Sequence, residues 1–148
     1  MLDRDFGNLA AILRMCDDIC SYQEEGMTTA QMLDDRKTYN AILLNLMQIG
    51  EYAKKLSEEL RSSNGEIDWK SIAGMRDRIA HDYLGIDRGV VERLLDTEID
   101  RLIDGLFAVF THLAVDEQAR LWLTSPEFRE SYSSKAILEK IDAQPWTP

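Results

Sequence analysis

Apolar positions along this chain recur every three or four residues rather than every second one, a spacing that predicts helices throughout. From residue 3 to about residue 25, Phe6, Leu9, Leu13, Cys16 and Ile19 or Cys20 form one stripe, which stops at Gly26. Thr28 or Thr29 can cap a short segment carrying Met32 and Leu33, and Asp34 or Asp35 can begin the next helix. Residues 35–61 form the strongest pattern, with Ile42, Leu46, Ile49, Ala53, Leu56 and Leu60 on one face. At about 1.5 Å per residue that helix would be near 40 Å long. Beside this face, Leu43, Met47 and Gly50 make a narrower strip, suited either to the same bundle or to a neighbouring subunit.

Ser62-Ser63-Asn64-Gly65 reads as a loop, and Asp68 as the N-cap of a helix through Trp69, Ile72, Met75 and Ile79. Leu84-Gly85-Ile86-Asp87 interrupts, after which Asp87 can cap a long helix bearing Val91, Leu95, Ile99, Leu102, Leu106, Val109 and Leu113. No stretch alternates with period two for long enough to be a strand. The prolines, Pro126, Pro145 and Pro148, all fall in the last quarter, so the strongest helix breaker is absent before them. The expected fold is all-α: an antiparallel bundle of about four core helices over residues 1–115. An extension, 116–148, is expected to pack on it through Leu121, Trp122, Phe128, Tyr132, Ile137 and Leu138. Ser125-Pro126 can open a further helix there, and the last residues read as irregular.

Composition narrows the partners. The 148 residues suit one core, and 17 basic against 27 acidic residues give a net charge of −10. That balance repels a phosphate backbone at long range, which disfavours nonspecific nucleic-acid binding while leaving room for a local basic patch. No apolar run approaches the roughly 18 residues of a membrane span. Met1-Leu2-Asp3-Arg4-Asp5 places two acids where a secretion signal is basic and then apolar, so a cytoplasmic location is expected. Cys16 and Cys20 share a helical face. With only His81 and His112 beside them, and no metal-ligand spacing, they read as reduced core residues, and neither a metal nor a cofactor is expected.

The densest chemistry lies in Gly74-Met75-Arg76-Asp77-Arg78-Ile79-Ala80-His81-Asp82-Tyr83. Arginine offers a bidentate positive fork that suits phosphate, and histidine exchanges a proton near neutral pH. The two suffice for metal-free RNA cleavage: His would deprotonate the ribose 2′-OH or protonate the leaving oxygen, while Arg neutralises charge building on the phosphate. Arg76 and His81, five residues apart, sit about 140° from each other round an ideal helix. They converge more readily if two copies of this helix meet across a twofold axis, or if the helix loosens near His81. The plainer alternative is a solvated, salt-bridged helix face. Asp77 can pair with His81 four residues on, and Glu51 on the preceding helix can reach Arg76 or Arg78. Trp69 and His112 read as structural.

Four segments carry a resemblance: Asp35-Arg36-Lys37-Thr38-Tyr39-Asn40-Ala41, Ile49-Gly50-Glu51-Tyr52-Ala53-Lys54-Lys55-Leu56, Asp68-Trp69, and the run from Gly74 through Tyr83 to Asp87. Together they resemble the HepT-like branch of the HEPN superfamily over about residues 3–113. The resemblance implies a homodimeric helical bundle acting as the metal-independent ribonuclease toxin of a bacterial toxin-antitoxin pair, with RNA as substrate. It implies Arg76 and His81 as the catalytic pair and Asp77 as the polar neighbour that orients them; beside them, from residue chemistry alone, Arg78 and Glu51 are candidate supporting or RNA-contacting residues. Tyr83 would be the tyrosine that a cognate minimal nucleotidyltransferase antitoxin modifies with AMP. A bulky negative adenylate there would block and repel RNA. This chain departs from the common pattern with Asp77 in place of Asn and with Tyr52 in place of a small residue, and the resemblance does not reach the extension. A reading of another class is a non-catalytic helical module that binds and regulates a nucleotidyltransferase.

Overall fold

The helical periodicities resolve, in the computed structural model, into helices joined by short turns; the structure describes residues 2–82 and 85–147. The α-helices are α1 (Leu2–Glu24), α2 (Thr29–Asp34), α3 (Arg36–Lys55), α4 (Glu58–Ser63), α5 (Trp69–Asp82), α6 (Arg88–Arg93), α7 (Ile99–Leu113), α8 (Glu117–Leu123), α9 (Pro126–Glu130) and α10 (Lys135–Asp142). A π-helical turn, Leu94–Glu98, joins α6 to α7 so that the chain stays helical from Arg88 to Leu113. The fold is all-helical, with no strand among the described residues. Helix α3 packs most extensively against α1 and α5. Their stripes, led by Leu9, Leu13 and Ile19 on α1, Ile42, Leu46 and Ile49 on α3 and Ile79 on α5, meet Leu95, Leu106 and Phe110 in one core.

Caps fix most boundaries where the polar residues stand. Thr28 forms a reciprocal capping box with Gln31, Asp35 accepts from the Thr38 amide, Asp87 from the Gly89 amide and Ser125 from the Phe128 amide. The expected helix over 35–61 is broken, however. Leu56 turns to extended backbone, and Ser57 starts α4 by capping the Leu60 amide. The cause is tertiary: buried Asp5 of α1 accepts from the Ser57 amide at 2.8 Å and its hydroxyl at 2.6 Å. Those bonds replace the intrahelical one a continuous helix would make there. Helix α3 is therefore about 30 Å long rather than 40.

The second strip of α3 packs inside the bundle, with Leu43 and Gly50 buried and Met47 partly so; the outward apolar residue is Leu44, 56% exposed. Residues beyond 116 share the same core through Phe128, Tyr132, Ile137 and Ile141. Trp122 stacks on Phe6 at 4.6 Å, and Trp146 donates to Thr111 Oγ1. Fully buried Asp17 accepts from the Ser133 and Ser134 amides, and Glu24 from those of Lys135 and Ala136. Two carboxylates of α1 thus hold the positive N-terminal end of α10. Leu121 differs from expectation: it is 65% exposed, because short α8 turns Ala119 and Leu123 inward instead. No described helix is long and apolar enough to cross a membrane.

Candidate active site

Helix α5 carries the densest chemistry and is anchored at its start. Asp68 accepts from the Ser71 amide and hydroxyl, and buried Trp69 donates its indole N–H to the Asn64 carbonyl at 3.0 Å. The Asn64 side chain also meets His112 Nδ1 at 3.3 Å, so Trp69 and His112 serve the packing of this corner. Met75 and Ile79 face the core, which leaves Arg76, Asp77, Arg78 and His81 on the outer surfaces of the helix.

Arg76 sits at the point where α5 crosses α3. A Cβ built on Gly50 would lie 2.8 Å from Arg76 Cβ, 2.9 Å from its amide nitrogen and 3.0 Å from the Ile72 carbonyl oxygen. Only a residue without a side chain permits this approach. Across the contact runs a chain of alternating charge: Glu51 Oε2 meets Arg76 Nε at 3.3 Å, Arg76 Nη1 meets Asp77 Oδ1 at 3.5 Å, and Lys54 Nζ meets the same Asp77 oxygen at 2.9 Å. The hydrogen bond from Lys54, and then Arg76, hold the Asp77 carboxyl below the usual carboxylate range.

The structure therefore brings Glu51, Lys54, Arg76 and Asp77 together. Glu51 reaches Arg76 rather than Arg78. Asp77 turns to Lys54 and Arg76 rather than to His81. His81 is exposed in the last turn of the same unbroken helix, so the roughly 140° between it and Arg76 stands and one protomer does not converge the pair. Tyr83 lies outside the described residues, as does Leu84. Sequence reading missed Lys54, although its place three residues after Glu51 on α3 puts it on the same helix face. Tyr52 is half-buried, with the Lys55 ammonium 5.2 Å from its ring centre.

No group of three or more His, Cys, Asp or Glu residues able to hold a metal occurs among the described residues. Cys16 and Cys20 are buried free thiols. Burial pushes both upward, Cys20 to about 12.

Comparison with known proteins finds relatives named as ribonucleases. The chain is 31% identical over 94 residues to "Putative RNase TTE0752" of Caldanaerobacter subterraneus subsp. tengcongensis, a match covering 64% of this chain and 83% of that protein. It is 34% identical over 80 residues to "Putative RNase MJ0127" of Methanocaldococcus jannaschii, covering 54% of this chain and 65% of that one. It is also 34% identical over 70 residues to "Probable ribonuclease HepT" of Thermococcus cleftensis, covering 47% of this chain and 64% of that one. The chain thus spans a little under two thirds of the length of the last two. No solved structure shows significant similarity. The family model described as ribonuclease HepT-like matches residues 12–108, which takes in α3, α5 and the charge chain between them, and the chain belongs to the HepT-like ribonuclease family.

Proposed function

We propose that this chain is an endoribonuclease acting as the toxin of a toxin-antitoxin pair, with Arg76 and His81 as its catalytic residues. Family membership supports the reaction class. The observation that carries the assignment of residues is the placing of Arg76 at the glycine crossing, with its guanidinium at the surface beside Glu51. The ribose 2′-oxygen attacks the adjacent phosphorus, the bond to the 5′-oxygen breaks, and a 2′,3′-cyclic phosphate and a 5′-hydroxyl result. His81 takes the 2′-OH proton or protonates the leaving oxygen, and Arg76 neutralises the charge on the phosphorane oxygens. No metal or cofactor is needed for that route.

Because Arg76 and His81 diverge on one helix, the working unit is a homodimer in which two copies of α5 form a composite cleft. Light scattering at micromolar concentration should report twice the chain mass, and a monomer would remove the cleft. Tyr83 follows two residues after His81. Its phenol is the acceptor for AMP from a cognate nucleotidyltransferase antitoxin, a transfer from ATP that releases pyrophosphate and leaves a negative adenylate beside the cleft.

The deciding experiment expresses the wild type, Arg76→Ala, His81→Ala and Tyr83→Phe in a bacterial host without a neutralising enzyme, following growth and RNA integrity together. Wild type should arrest growth and degrade RNA, and Arg76→Ala should lose about 100-fold or more of the cleavage rate. One observation favours the non-catalytic reading, that Arg76 is already engaged by two carboxylates. Harmless expression of all four proteins would select a module that binds a nucleotidyltransferase.

A further inference from the structure

Beside the Arg76 site, the end of α3, one face of α4 and the first turns of α5 border an open groove of 680 Å³. That volume is in the range of ligand sites, roughly 300–1,000 Å³. It exists because the chain breaks at Leu56 and Ser57, so that Arg61 comes to line the same groove as Lys54 and Lys70. Three cations from three helices therefore converge in a chain whose net charge is −10.

Their pairing differs. Lys54 is taken by Asp77, which also closes the groove towards Arg76. Arg61 and Lys70 form no ion pair among the described residues. The nearby carboxylates are largely answered. Asp77 is shared by Lys54 and Arg76, Asp68 accepts from Ser71, and Glu58 lies in the first turn of α4, where the helix end offsets its charge. On the α5 side the groove is lined by Ala73 and Gly74, and space is open for 4 Å round the position a Gly74 Cβ would take, so a bulky group can approach the helix backbone. Trp69 is buried with its N–H engaged, so it forms a wall rather than a stacking platform. Two cations outside any ion pair, Lys70 with only the Asp68 carboxylate acting on it at longer range, and no base-stacking ring fit a phosphodiester strand held by charge and without regard to base.

We propose that this groove binds the phosphate backbone of single-stranded RNA flanking the bond cleaved at Arg76, with Arg61 and Lys70 each contacting a phosphate. The role of the bound strand rests on the ribonuclease reading, but binding itself is measurable without cleavage.

The test uses the full chain and a short fluorescein-labelled, mixed-sequence single-stranded RNA, its anisotropy read across a salt series. Each phosphate contact to a single strand contributes about 0.7 to the slope of log affinity against log salt. Arg61→Gln with Lys70→Gln should therefore flatten the slope by about 1.4. Arg61→Lys with Lys70→Arg should keep it. Removing two exposed cations outside the groove, Arg101→Gln with Lys135→Gln, should leave it unchanged. In cleavage, the Gln pair should raise KM for long RNA with kcat unchanged, and leave a dinucleotide substrate, too short to occupy the groove, unaffected. An unchanged slope in the Gln pair overturns the proposal, as does a wild type that binds no RNA at low salt. If RNA binds with the expected slopes but no cleavage occurs, the groove stands and the ribonuclease reading fails.

Discussion

Replacing Gly50 with alanine tests whether the α3–α5 crossing sets the position of Arg76. In an open helix interior, Gly→Ala stabilises by about 1 kcal/mol. At Gly50 the new Cβ would meet Arg76 Cβ at 2.8 Å, Arg76 N at 2.9 Å and the Ile72 oxygen at 3.0 Å. Ordinary carbon contacts are about 3.5–4.0 Å, so the helices must part by roughly 0.7–1 Å, a gap that forfeits a quarter to a half of the attraction in the contacts it opens. Two of the three obstructing atoms are backbone and cannot rotate away. With backbone atoms in the way, the overpacking cost should lie at the upper end of its usual range, about 2–3 kcal/mol, and against the propensity gain the net destabilisation should be about 1–2 kcal/mol. For a chain of this size that corresponds to a fall in Tm of about 2–8 °C.

Two other glycines calibrate the result. At Gly105 the obstruction is only the Ile67 side chain, at 2.8 and 2.9 Å, which can turn aside; at Gly7 nothing lies within 4 Å. Urea unfolding followed by far-ultraviolet circular dichroism should rank Gly7→Ala above wild type, Gly105→Ala near it and Gly50→Ala below it. RNA cleavage by folded Gly50→Ala should fall as well, since Arg76 moves with its backbone. If Gly50→Ala is as stable as wild type, the crossing is looser than its geometry requires and the reasoning fails.

Asp17→Ala should destabilise by about 2–4 kcal/mol, by leaving the Ser133 and Ser134 amides without their buried acceptor, and Asp17→Asn should cost less; urea midpoints decide. The Cys16 and Cys20 thiols, pushed upward by burial, should stay protonated at pH 8 and react with a thiol reagent only after unfolding; rapid reaction of the native protein would refute this. Asp35 and Asp68 are held below their ordinary range by the hydroxyl and amide of Thr38 and Ser71, so the unfolded chain binds more protons than the folded one. Their contribution should be complete above about pH 4, the unfolded value, and lost as pH falls through the lower folded one. Asp35→Asn with Asp68→Asn should flatten that acid limb of the stability curve. Lys54→Gln should lower RNA cleavage about tenfold by releasing Asp77 onto Arg76, and adding Asp77→Asn should restore most of it; no restoration would mean that Lys54 acts in some other way.

Most of the fold was legible because periodicity and caps are local. Thr28, Asp35, Asp68, Asp87 and Ser125 mark helix starts within a few residues of the groups they bind. The break at Ser57 was not legible, because its cause is Asp5, 52 residues away in sequence. For the same reason Gly50 was not assignable from sequence to one bundle or to a second subunit: its partner, Arg76 of α5, is brought to it by tertiary packing. At the site, Arg76 and Glu51 were readable as residue types that attract each other. Lys54 was not singled out, since a lysine near a helix end is ordinary until a carboxylate from another helix is placed 2.9 Å from it.

The acidity of the chain and its phosphate chemistry are compatible because the two act over different distances. At physiological salt the Debye length is about 8 Å, so acids far from the groove are largely screened from a phosphate inside it, while a cation in direct contact is not. The local count therefore matters more for affinity. Among the lining residues Lys54, Arg61 and Lys70 stand against Glu58 and Asp77, one cation in excess, while Asp68 draws on Lys70 from beside the groove. What the net charge of −10 governs is the approach, where repulsion acts before contact is made. RNA should thus associate slowly for its affinity, and removing acids remote from the groove should raise the association rate while leaving dissociation almost unchanged. A change confined to dissociation would instead place those acids in the binding surface itself.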